Sequence, residues 1–156
     1  MKERNFIAKH NSLLRTITFL AGAGLIIIAG LLFVVLVDLK VKANTNKDSI
    51  FISAWLFFAI IFAVGGGIFY FVGDANKHKH VRTLIFKGVG IGLSAFFIQF
   101  LNAFSTKING MVGVSKKIVA LANTTVSVTL IITIVALVLL VANYVLSILF
   151  IEDDYL

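Results

Sequence analysis

His78 and His80 flank Lys79 in the segment KHKHVR, and His10 is the third histidine of the chain. Two imidazoles this close could begin a metal site, but such a site needs three or four ligands. Asp74 is the nearest acid, the chain has no Cys, and Lys77 and Lys79 beside the pair repel a cation. The segment therefore reads as a solvated basic loop that touches anionic headgroups, with no metal implied. Glu152, Asp153 and Asp154 make an acidic tail of the ordinary solvated kind. Ser and Thr are numerous, yet no His–acid pairing that would activate a hydroxyl nucleophile accompanies them. No glycine-rich phosphate loop with its lysine appears, and Gly88, Gly90 and Gly92 lie inside an apolar run. Asn123-Thr124-Thr125 matches a glycosylation triplet that sits close to another apolar run. The chain thus reads as a non-enzyme with no cofactor.

The elements that would position these residues are four long apolar runs, over residues 16–37, 50–72, 82–104 and 118–150. About 20 apolar residues span a bilayer as a helix. The expected fold is all-α: one integral membrane domain over residues 1–156 with four transmembrane helices. The composition agrees, at 60% apolar with a mean hydropathy of +1.04, against roughly 45–50% apolar for a soluble domain. No residue is Pro, so no proline kink is expected in any span. The basic segment before residue 16 is read either as a short helix lying on the membrane surface, with Phe6, Ile7, Leu13 and Leu14 as anchors, or as a frayed end. The first run exceeds the apolar core of a signal peptide, and Val41-Lys42-Ala43 is a poor cleavage site, so it is read as a retained span. The fourth run, taken from Ser115, is longer than a hydrocarbon core, so its polar first turns either project from the membrane or face protein. Trp55 and Tyr70 are placed at opposite interfaces, as an aromatic belt.

The net charge of +7 is spread over every loop, which argues against nucleic acid as a partner and for anionic lipid. Lys77, Lys79 and Arg82 are the expected headgroup contacts, joined by Lys87, which lies about one turn inside the third span and is expected to snorkel back. Lys2, Arg4, Lys9, Arg15, Lys77, Lys79, Arg82 and Lys87 fall on the side shared by both termini; Lys40, Lys42, Lys47, Lys107, Lys116 and Lys117 fall on the other. The bias places both termini in the cytoplasm of a cell (inner or plasma) membrane, with an organelle membrane as the alternative.

Two further patterns mark the spans. Ala59, Ala63 and Gly67 step by four along the second, while Gly88 and Gly92, with Gly90 and Ser94, do so along the third. Small residues on one face let helix backbones approach closely. They are expected to pack helices, either within one bundle or between subunits. Uncharged polar groups lie at depth: Gln99 and Asn102 on the third span, and Thr129, Thr133 and Asn143 on the fourth. Gln99 and Asn102 share a face, expected to meet the Thr stripe of the fourth span through interhelical hydrogen bonds. No ionisable residue is expected in the middle of any span, which disfavours an ion-coupled carrier.

The pieces AVGGGIFYFVG, DANKHKHVR and LIFKGVGIGLSAFFIQFL, within residues 55–104, resemble the pilin family of type IV secretion (conjugation) systems. Those subunits have two spans joined by a short basic loop. The resemblance implies a filament subunit in which Lys77, Lys79 and Arg82 balance bound phospholipid. The flanking first and fourth spans depart from that pattern. The leading expectation is a non-enzymatic subunit of a homo-oligomeric channel or larger membrane complex. A pilin-like subunit, a phage holin and a small uncoupled transporter are the alternatives.

Overall fold

The computed structural model describes residues 2–41, 57–75, 80–110 and 115–149. Among these residues the protein is helical, with no strand. Helix α1 spans Lys2–Val41; α2 spans Gly66–Ala75 and is preceded by a π-helical stretch, Ile60–Gly65; α3 spans His80–Asn109; and α4 spans Lys116–Leu149. Three helical segments are long and apolar enough to cross a membrane, namely Leu13–Val34, Val81–Asn109 and Lys116–Leu149. The second apolar run appears as a shorter helical segment, Phe57–Gly73; its expected start at residues 50–56, including Trp55, lies outside the described residues.

The basic N-terminal segment does not form a separate surface helix: it is continuous with the first span in a single helix of 40 residues. The second span contains the π-helical stretch, which ends at Gly65 and passes into Gly66 and Gly67. α4 starts where Ser115 ends the preceding segment, with the Ser115 carbonyl accepting from the Ile118 and Val119 N–H groups at 3.0 and 3.2 Å.

The helices form an antiparallel ring in which α1 packs on α4, α2 on α3, α3 on α4, and α1 on the second span. Its interior follows a heptad rhythm. Along α4 the buried residues are Ala122, Val126, Thr129, Thr133, Ala136, Leu140, Asn143 and Ser147. Along α3 Lys87, Gly90, Ser94, Phe97, Leu101, Phe104 and Ile108 are buried. Steps alternating three and four keep one seam of a helix facing its neighbours, the packing of four-helix bundles. Phe33 anchors one end, meeting Phe97, Phe100 and Phe104 edge-on with centroids 6.0, 5.7 and 5.2 Å away. Such T-shaped pairs add about 0.5–1.5 kcal/mol each beyond burial.

Glycines set the closest approaches. A Cβ on Gly90 would lie 2.7 Å from the Gly66 carbonyl oxygen and 2.8 Å from the Tyr70 nitrogen, so α2 and α3 touch backbone to backbone there. Gly67 admits Ile27 and Ile26 of α1, and Gly30 admits Ala63. Ala59 and Ala63 are fully buried.

Candidate functional site: a polar cluster inside the bundle and a polar face outside it

Lys87 is the most informative side chain, and the structure corrects its expected role. It does not snorkel to the headgroups. The residue is 1% exposed, and its Nζ donates to Asn143 Oδ1 at 3.1 Å and to Ser147 Oγ at 3.0 Å. The cause is its place on the inner seam of α3, three residues before Gly90. Facing inward, its stem packs on Gly73 of α2, where a Cβ would lie 3.0 Å from Lys87 Cγ. The ammonium sits 5.3 Å from the centre of the Tyr70 ring, within cation–π range. Lys87 lies five residues beyond Arg82, or about 7.5 Å along the helix axis.

Asn143 organises the cluster. Its Oδ1 receives Lys87 and lies 2.7 Å from Tyr70 Oη. Its Nδ2 donates to the Arg15 carbonyl at 2.7 Å and to Thr18 Oγ1 at 3.2 Å. The amide orientation is dictated by these partners, because an ammonium can only donate and a carbonyl can only accept. A single side chain of α4 thus joins α1, α2 and α3. Tyr70 Oη also lies 2.9 Å from the Leu140 carbonyl, so its one hydrogen is shared between two acceptors. Ser147 and Thr18 donate to carbonyls of their own helices, Asn143 at 2.8 Å and Leu14 at 2.7 Å, which leaves their oxygens to accept. These contacts suit holding a lysine within the bundle.

Tyr70 was expected at an interface and is instead fully buried. Its neighbours on the inner face are Gly66 and Gly73, so it occupies a seam that only small residues leave open. Ser147 and Thr18 carry no expectation from the sequence, and Tyr70 none as a partner of Lys87. The four-residue steps from Asn143 to Ser147 and from Gly66 to Tyr70 are the sequence signal for Ser147 and Tyr70.

The remaining polar residues part company. Asn143 makes the expected interhelical bonds. Thr129 and Thr133 are buried, but their hydroxyls donate to the Thr125 and Thr129 carbonyls of their own helix at 2.8 and 2.7 Å. Their hydroxyls are thus engaged within the helix and, among the described residues, not across helices. Gln99 and Asn102 do not meet that Thr stripe: both are exposed on the outer face of α3. The inner seam there is taken by Phe97, Leu101 and Phe104, which turns the amides outward. At the far end Asn123 Nδ2 donates to Asn109 at 2.7 Å and its Oδ1 accepts from Ser105 at 2.9 Å, joining α3 to α4.

The small residues also divide. Ser94 is buried against Gly66 and donates to the Gly90 carbonyl at 2.8 Å. Gly88 and Gly92 do not pack helices within the bundle, since a Cβ on either would meet nothing within 4 Å. They lie on the same outer face as Ala95, Gln99 and Asn102. Arg82 is exposed near the start of α3; Lys77 and Lys79 lie outside the described residues. Among the described residues no three His, Cys, Asp or Glu side chains gather where a metal could be held.

No family model matches the chain, and neither a curated protein nor a solved structure does so.

Proposed function

We propose that this chain is a non-enzymatic subunit of a homo-oligomeric membrane assembly, joined through the outer face of α3. The observation that carries the reading is the exposure of Gln99 and Asn102 on a membrane-spanning helix, in line with the open glycines Gly88 and Gly92. Gln99 lies eight residues before Lys107, about 12 Å along the axis, and so within the hydrocarbon layer. Lipid tails offer no partner to a primary amide there, and an unpaired polar group in an apolar medium is costly. A second copy offers the same amide. An amide both donates and accepts, so it can satisfy its own copy across a symmetry axis, and the glycines let two α3 backbones approach.

In a dimer the stripe is closed off between two helices. In a ring of several copies it lines an uncharged polar path, the channel form of the same reading. The Lys and Arg bias supports placing both termini of each copy in the cytoplasm. Native mass spectrometry after mild extraction tests the assembly. A fixed subunit number that falls to one in Gln99→Leu and Gly92→Leu supports it, and a wild-type monomer in native membranes overturns it. Conductance across planar bilayers, present for the wild type and changed by Gln99→Leu, supports the ring; a closed membrane favours the dimer.

Lys87 favours a second reading, a small carrier, because ionisable groups inside a membrane bundle commonly mark a transport path. Solute flux in liposomes that Lys87→Met abolishes supports this reading. Equal flux in both proteins removes it.

A further inference from the structure

A cleft of about 150 Å³ opens between α1 and α4, away from the Lys87 cluster and the outer face of α3. It is lined by Ala29, Leu32, Thr124, Thr125, Val128 and Ile132, among others. Its threonine hydroxyls are already engaged: Thr124 and Thr125 each donate to a carbonyl four residues back at 2.9 Å, and the lining is almost wholly apolar. The cleft has room for several water molecules, yet almost nothing in the lining would hold water. A stretch of hydrocarbon chain suits it better.

The rest of the site lies at the start of α4. Lys116 and Lys117 are exposed in the first turn. Lys117 is seven residues before Thr124, which is two helical turns, so it lies on the cleft's face about 10 Å beyond its mouth. A positive pair above an apolar cleft matches an anionic phospholipid, with phosphate at the lysines and one acyl chain between the helices. We infer that α1 and α4 together form a binding site for one anionic phospholipid, with Lys116 and Lys117 at its headgroup and the cleft around its tail. This site is separate from the basic loop before α3, and it does not depend on assembly through that helix.

The two halves of the site do different work. Lipid tails are as apolar as the cleft, so entry of the chain gains packing and no hydrophobic free energy. Charge therefore supplies the headgroup preference, at about fivefold per lysine, and the fit of the tail supplies retention.

The full chain, loaded in detergent with equal dioleoyl phosphatidylglycerol and dioleoyl phosphatidylcholine, is the test, read by native mass spectrometry. One phosphatidylglycerol retained per chain is expected. Lys116→Gln with Lys117→Gln should lower its preference over phosphatidylcholine by about tenfold or more. Val128→Phe, which fills the cleft, should release both lipids, while Val138→Phe, outside the lining, should release neither. Thr124→Leu, also in the lining, takes the place of Val128→Phe should that variant not fold. A preference unchanged by the lysine pair, or retention unchanged when the cleft is filled, overturns the assignment.

Discussion

The inner and outer faces of α3 carry similar residues in opposite circumstances. Inside, Lys87, Gly90 and Ser94 are buried; outside, Gly88, Gly92, Gln99 and Asn102 look away from the bundle. Gly90 lies against backbone of α2, whereas Gly92 faces open space. Lys87 is held by two side chains of α4, whereas Gln99 has no hydrogen bond to a side chain among the described residues. Residue type alone therefore says little about role in a membrane helix. What matters is which seam the residue occupies, and the seam here is set by a backbone-to-backbone contact on one side.

Gly90→Val should break the comparison most severely. The new Cβ would collide with the Gly66 carbonyl and the Tyr70 nitrogen, neither of which can turn aside as a side chain would. A loss of about 3 kcal/mol or more in denaturant unfolding from mild detergent is expected. Loss of less than about 1 kcal/mol would mean that α2 and α3 are free to separate at that point.

Asn143→Ala comes next, at about 2–4 kcal/mol. The substitution strips Lys87, Tyr70 and the Arg15 carbonyl of a shared partner. Adding Lys87→Met should restore part of that loss, because the buried ammonium is one of the groups that lose the Asn143 oxygen. A double-mutant cycle measures the coupling. Strict additivity would show that the lysine and the amide are held independently.

Gly92→Val sharpens the contrast with Gly90→Val. The fold of the single chain should change by no more than about 0.5 kcal/mol, while self-association in membranes, measured by energy transfer between labelled chains, should weaken by about tenfold. Unchanged association would remove the outer face from the assembly. Smallest of the set is Tyr70→Phe, expected to cost about 1 kcal/mol through the hydroxyl that meets Asn143 and the Leu140 carbonyl.

Much of the fold could be read from the chain. The apolar runs predict spans at 16–37, 82–104 and 118–150, which lie within α1, within α3 and, save for residue 150, within α4. The extra length of α3 beyond residue 104 is mainly polar, and its Ser105 donates to Asn123 in the first turns of α4. The site was half legible. Asn143 stood out as an amide deep in a span, and Gly90 with Ser94 as a packing pair. Distance from a helix end points Lys87 toward the headgroups, whereas its place on the inner seam buries it. The same holds for Tyr70, as an aromatic near a helix end suits either an interface or a hole in the packing.

Length and hydropathy by themselves determined that this protein is a helical membrane bundle, because a run of apolar residues can satisfy its backbone in lipid only as a helix. The rotation of each helix was left to the tertiary structure. In water the apolar face turns inward, but lipid and protein interior are equally apolar, so hydrophobicity does not choose a face. Close packing at Gly66 and Gly90 and the hydrogen bonds around Asn143 made that choice, sending Lys87 inward and Gln99 outward.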